Sequence, residues 1–202
     1  MPIITDLKPQ RNKKRVNVYL DDKFSFGIDL ENLLRYNLKI GNEYSETDIK
    51  ELIKKAEFQK TYDKIVRYAT LRPRSRREIE MWLRKCRVHE SIHDELFNKL
   101  KRLELLDDTK FASWWVDQRM SFRPRGKRAL MAELRQKGVK QETIKEVLEV
   151  TDIDETKVAK DLIKKYQYKW ERFPKGEKRK KMSSYLARKG FGWEIIKQAI
   201  SD

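Results

Sequence analysis

Residues 71–75 read Leu-Arg-Pro-Arg-Ser, residues 122–126 Phe-Arg-Pro-Arg-Gly and residues 172–176 Arg-Phe-Pro-Lys-Gly. Their prolines, Pro73, Pro124 and Pro174, are spaced 51 and 50 residues apart. Downstream of each comes Leu83, Leu134 or Leu186, then four residues later Arg87, Gly138 or Gly190, then Ile92, Ile144 or Ile195. A proline at such a junction ends the helix before it, because it lacks an amide donor and restricts the preceding residue. Self-similarity at a period of about fifty residues means that each unit is one supersecondary element stacked on its neighbours. Ser75-x-x-Glu78 reads as a capping box opening the second helix of the first unit, and Gly126 and Gly176 stand in the place of Ser75.

Apolar residues at helical spacing fill the rest of each unit. Ile49, Leu52, Ile53 and Ala56 mark one stripe, and Tyr62, Ile65, Val66 and Ala69 the next. Ile79, Trp82, Leu83 and Cys86 follow, then Ile92, Leu96, Phe97 and Leu100. The second unit repeats the scheme with Phe111, Ala112, Trp115 and Val116, then Leu130 and Leu134, then Ile144, Val147 and Leu148. The third has Val158, Leu162, Ile163 and Tyr166, then Met182, Tyr185 and Leu186, then Ile195, Ile196 and Ala199. The expected fold is mainly α: a tandem array of three-helix repeats in an elongated curved molecule. The N-terminus differs. Val16, Val18 and Leu20, a turn at Asp21-Asp22-Lys23, then Phe24, Phe26 and Ile28 alternate as a β-hairpin does. Ile3 and Ile4, ahead of the basic stretch Lys8–Arg15, can add a third strand. Asp29 and Ser45 are positioned to cap the helices that follow. The expected organisation is a hairpin extension over 1–42, a linking helix with repeat one over 43–106, repeat two over 107–152 and repeat three over 153–202.

Composition narrows the function. Of 202 residues 39% are hydrophobic and 40% charged, so cores are thin and charged faces long. The formal charge of +16 is uneven, since residues 157–202 carry 14 Lys and Arg against 5 Asp and Glu. That balance favours phosphate or acidic surfaces as partners. The lone Cys86 excludes an internal disulfide, and no stretch approaches the ~20 apolar residues of a membrane span. A cytoplasmic protein that does not engage membranes is expected.

The cations concentrate at the Pro junctions: Arg72, Arg74 and Arg77; Arg119, Arg123, Arg125, Lys127 and Arg128; Lys175, Lys178, Arg179, Lys180 and Lys181. Helix N-termini favour anions, so cations there serve a partner rather than the helix. Chemistry finds no team. Cys86, His89 and His93 fall short of four zinc ligands. Asp108 is expected to cap the helix of Phe111, and Gly126-Lys127-Arg128 lacks the phosphate-loop frame. Neither an enzyme nor a bound metal or cofactor is expected. The tryptophans are expected to pack.

Three segments together resemble a known family. The run Tyr68-Ala69-x-Leu71-Arg72-Pro73-Arg74-Ser75-x-x-Glu78, the segment Leu106-Asp107-Asp108-x-x-Phe111-Ala112, and Gly126-Lys127-x-x-Leu130-x-x-Glu133-Leu134-x-x-Lys137-Gly138-Val139 are similar to the RecX family. The likeness covers about residues 58–200, and the hairpin looks like an extension that some members carry. Repeat three departs most, with a two-residue insertion between Lys175 and Leu186, and Arg87 stands where later repeats have glycine. The resemblance implies a crescent that lodges in the groove of the RecA–DNA filament through a basic concave surface. There it would dampen ATP hydrolysis and strand exchange and block filament extension, in recombination and DNA repair. Partners so implied are the RecA filament and single- or double-stranded DNA, met by a monomer. The alternative is a helical array that binds nucleic acid directly and acts only by competing for DNA.

Overall fold

The computed structural model describes residues 1–11 and 13–201. Among them are ten α-helices and one three-stranded antiparallel sheet. The chain divides into two compact units, one made of residues 1–71 with 88–98, the other of residues 72–87 with 99 onward.

In the first unit, β1 (Ile4–Pro9), β2 (Arg15–Leu20) and β3 (Lys23–Asp29) lie in sequence order. β2 and β3 form the expected hairpin, and Ile4 opens the third strand. Asp21 and Asp22 turn the chain with φ of 46° and 63°. Both are left-handed, as a two-residue I′ hairpin turn requires, and aspartate tolerates that region. Val18, Phe26 and Ile28 face inward with Ile4 and close a core with Leu38 and with Leu52 and Ala56 of the following long helix. Phe24 breaks the expected alternation. Val18 pairs with Phe26 but Tyr19 with Phe24, so Ser25 is an extra residue on β3. This bulge turns Phe24 outward, 60% exposed, where its ring meets Tyr19 at 6.0 Å.

Asp29 caps α1 (Leu30–Arg35) by accepting the Asn32 amide, and Ser45 and Asp48 form a complete capping box on α2 (Glu46–Thr70). The two stripes read over 49–56 and 62–69 belong to this single helix of 25 residues. Its continuity follows from the absence of glycine and proline between Gly41 and Pro73.

Helix α3 (Arg76–Lys85) belongs to the second unit, and α4 (His93–Arg102) begins in the first and ends in the second. Repeat two consists of α5 (Asp108–Phe122), α6 (Lys127–Gln136) and α7 (Gln141–Val150). Repeat three consists of α8 (Glu155–Tyr166), α9 (Lys175–Arg188) and α10 (Trp193–Ile200). Each of these repeats has a core of its own. Phe111, Ala112, Val116, Leu130, Leu134, Ile144, Val147 and Leu148 fill one, and Ala159, Leu162, Leu186, Phe191, Ile196 and Ala199 the other.

The second helices share one plan with one exception. Arg87, Gly138 and Gly190 end them in the left-handed region, with φ of 54°, 81° and 86°. Twelve residues earlier stand the N-caps Ser75 and Gly126, and in repeat three the matching residue is Lys178. α9 nevertheless starts at Lys175 with Pro174 as its cap, one turn earlier, so Gly176 lies inside the helix and caps nothing. The extra turn absorbs the two-residue insertion. Cys86 is also displaced from its expected role: it is the exposed C-cap of α3 rather than a core residue.

Leu134 has no exposed surface and is one of the nine buried residues in the core of repeat two. Leu134→Ala is expected to cost about 2–5 kcal/mol of stability, lost transfer energy plus cavity. Urea denaturation followed by circular dichroism measures it, and a midpoint equal to that of the unaltered protein contradicts the packing.

Candidate functional site

The Pro junctions become two structured joints within the second unit. At the first, the Ser75 hydroxyl accepts the Glu78 amide and donates to the Lys137 carbonyl at the end of α6, 2.7 Å away. At the second, the Gly126 amide donates to the Lys189 carbonyl at the end of α9 at 3.0 Å. Each joint thus sets the positive end of one second helix against the negative end of the next. The approach is close enough to demand glycine. A Cβ on Gly138 would lie 2.7 Å from the Arg77 Cβ, and one on Gly126 would strike the Gly190 backbone. In the first repeat no preceding second helix exists to approach Arg87, so a side chain is tolerated there.

A carboxylate from the following repeat completes each joint. Asp108 accepts the Arg76 amide at 2.9 Å, and Glu155 accepts the Lys127 amide at 2.8 Å. These are the first residues of α3 and α6, whose free amides suit an anion. The reading of Asp108 as the cap of α5 is therefore corrected. Asp107 caps α5, accepting the amides of Thr109 and Lys110 at 2.8 and 3.0 Å, while Asp108 reaches back 32 residues. Burial pushes the Asp108 carboxyl above its ordinary range, with the Arg76 amide pulling the other way.

Several of the expected binding cations are committed inside the protein. Glu78, 4% exposed, is held by Arg72 in a two-pronged fork at 2.9 and 3.1 Å, by Lys137 at 2.7 Å and by Arg74 at 3.9 Å. Only the Ser75 half of the expected capping box forms, because the Glu78 carboxylate turns to these cations instead. Burial opposes the charged form of Glu78, but the hydrogen bonds from Arg72 and Lys137 outweigh it and hold the carboxyl below its ordinary range. Glu133 takes Arg119 at 2.7 Å, Arg125 at 3.6 Å and the Trp115 indole at 2.9 Å. Arg119 and Lys137 both stand over the Trp115 ring, at 4.4 and 4.8 Å, and Arg72 covers Trp114 at 5.1 Å. These tryptophans pack, and what they pack against is charge.

The remaining expected residues face outward. Arg77 lies over Gly138, Arg123 and Arg128 are exposed, and Lys127 is half-buried. Lys175, Arg179 and Lys180 are exposed on the first two turns of α9, and Lys178 is half-buried there. Lys180 and Lys181 line a groove of about 440 Å³ with Lys169, Trp170, Phe173, Ser184 and Arg188. Lys181 stands 4.2 Å from the Phe173 ring. Lys137, Lys189, Lys169 and Arg188 are not among the cations expected from sequence to bind a partner. The signal for the first two was the Lys-Gly pair that recurs as Lys137-Gly138 and Lys189-Gly190.

His89 bonds Ser91 and His93 bonds the Val88 carbonyl. Among the described residues no group of three or more His, Cys, Asp or Glu could hold a metal ion, and no helix is long and apolar enough to cross a membrane.

Glu78→Gln keeps the shape and removes the charge that three cations surround. A loss of about 1–3 kcal/mol is expected. Because the folded Glu78 carboxyl lies below its unfolded value, its stabilisation is present above the ordinary glutamate range of about 4.3 and is lost as pH falls through the folded value. Stability of the unaltered protein should accordingly drop more steeply on acidification than that of Glu78→Gln. Parallel acid-titration curves for the two would contradict this.

Known proteins resemble the chain along its whole length. The model of the RecX N-terminal domain matches residues 2–45, that of the second RecX three-helix domain residues 107–148, and that of the third residues 153–200. The regulatory protein RecX of Bacillus licheniformis is 32% identical over all of this chain and 78% of its own length. That of Bacillus subtilis is 31% identical over 99% of this chain and 76% of its own. That of Clostridioides difficile is 32% identical over all of this chain and 95% of its own. Among solved structures, a crystal structure of regulatory protein RecX superposes over both full chains with a TM-score of 0.75 at 24% identity. RecX from Lactobacillus salivarius superposes with a TM-score of 0.59 at 26% identity, over 71% of this chain and 94% of its own.

Proposed function

The chain belongs to the RecX family of regulatory proteins, and from that premise we propose that it regulates a RecA-type recombinase by docking on the RecA–DNA filament. Contact runs through the exposed cations beside the joints and on α9, and its effect is to slow ATP hydrolysis, strand exchange and filament extension. The protein acts by binding, not by turnover.

The observation that carries this reading is the division of labour among the cations. Arg72, Arg74, Arg119 and Arg125 are drawn onto Glu78 and Glu133 and brace the joints. Arg123, Arg128, Lys175, Arg179, Lys180 and Lys181 are exposed, and residues 157–202 carry 14 Lys and Arg against 5 Asp and Glu. Helices joined end to end that expose several cations suit an elongated polyanion or a filament with an acidic face. The same frame would serve direct DNA binding, and salt separates the two. Phosphate contact alone loses about 0.7–0.9 decades of affinity per decade of salt for each phosphate met, whereas docking on filament protein keeps a salt-resistant part.

The test is ATP hydrolysis by the cognate RecA on single-stranded DNA, with this protein titrated in at two salt concentrations. Inhibition well below one molecule per DNA site that persists at the higher salt is expected. Inhibition only at DNA-coating amounts, vanishing with salt, leaves simple competition for DNA. The double variant Lys127→Glu with Arg128→Glu should weaken inhibition about tenfold or more, with helicity unchanged. Full inhibition by that variant removes these cations from the docking surface.

A further inference from the structure

The two joints carry the same three cations but differ in their counterion. Arg72, Arg74 and Lys137 at the first correspond by position to Arg123, Arg125 and Lys189 at the second, each counted from the N-cap or from the left-handed glycine. The residue three beyond the cap is Glu78 at the first joint and Ala129 at the second. We propose that the second joint binds a backbone phosphodiester of a nucleic-acid strand, in the place where the first joint holds its own Glu78 carboxylate. This deepens the preceding reading, since it names the group that one part of the surface would grip on filament DNA.

Three further observations converge there. Among the described residues neither Arg123 nor Lys189 has an ion-pair partner, and Arg125 shares Glu133 with Arg119 at a long 3.6 Å. The Arg125 Nε, the atom that faces Glu133 at 3.6 Å, is buried and makes no hydrogen bond, so Glu133 holds this guanidinium loosely. Burial, then Arg125 and Arg123, pull the Lys189 ammonium below its ordinary range, so the cluster is short of negative charge. The first joint shows that this arrangement of one fork, one ammonium and a second arginine suits an oxyanion.

What favours a nucleic-acid strand over an acidic protein segment is the neighbourhood of Lys189. Tyr185, whose ring lies 5.6 Å from its ammonium, also packs on Trp170, which lines the groove on α9. Four cations and two aromatic rings line that groove and no carboxylate does. Consecutive phosphates and bases need such a surface, with cations along the backbone and rings for the bases. An isolated acidic side chain does not.

The test fills the site from within. Ala129→Glu should supply the missing carboxylate, and Lys189→Gln should remove one arm of the site without adding charge. Binding of a fluorescein-labelled 20-nucleotide oligothymidylate is read by anisotropy across a salt series, without RecA, together with melting temperature. The unaltered protein is expected to bind it. Each variant should bind about tenfold more weakly, with a salt slope shallower by about 0.7 for the lost phosphate contact. Unchanged affinity and slope in a folded Lys189→Gln overturns the proposal even if Ala129→Glu fails to fold. Loss of binding to a poly-glutamate peptide with no loss to the oligothymidylate overturns it in favour of a carboxylate ligand. The regulator reading stands or falls separately in the ATPase assay: normal oligonucleotide binding with no effect on RecA defeats that reading and leaves this site intact.

Discussion

Everything at the joints follows from setting the N-terminus of one second helix on the C-terminus of the next. The Ser75 hydroxyl on the Lys137 carbonyl and the Gly126 amide on the Lys189 carbonyl are short backbone-level contacts, and they leave no room for a side chain at the left-handed residue that follows. Opposed helix ends attract, but each also leaves amides that need an anion. Asp108 and Glu155 meet that need from the first helix of the following repeat. One backbone approach therefore dictates a glycine, an acid and a cap at fixed places in the repeat.

The cations gather around this approach because the helix ends do not by themselves fill the corner. At the first joint the corner closes on itself, with Glu78 buried under Arg72 and Lys137 and the tryptophans stacked against the guanidinium groups. A buried charge network of this kind adds little net stability over apolar packing, but removing one member strands the others. Its value lies in holding the angle between successive helices, on which any extended binding surface depends. The second joint holds its angle by glycine against glycine and leaves its cations less fully paired.

Local signals carried most of the fold. Pro73 and Pro124 stand just past the ends of α2 and α5, whereas α8 ends at Tyr166, well before Pro174, and the stripes of Leu130 with Leu134 and of Ile144 with Val147 bury as their spacing requires. The hairpin was legible from alternation and from two aspartates that accept left-handed backbone. What escaped depends on partners far along the chain. Asp108 and Asp107 look equally suited to cap α5, and only the Arg76 amide, 32 residues away, separates their roles. Glu78 sits where a capping box would put it, yet Lys137 claims it from 59 residues away. Phe24 keeps the alternation in sequence and loses it in space, because a bulge changes the parity of the strand. The exposed cations were legible as a class. Which of them the protein spends on itself was not, since that rests on the two carboxylates they find.

The α9 helix begins one turn before the place where α3 and α6 begin. Its cap, Pro174, has neither an amide nor a hydroxyl with which to seat on another second helix, as Gly126 and Ser75 do. Repeat two, by contrast, has both matching faces: Gly138 to receive the helix before it and Gly126 to seat on the helix after it. It is the interchangeable cassette of the three. Lengthening the array would mean copying the residues of repeat two, which carry both halves of the joint.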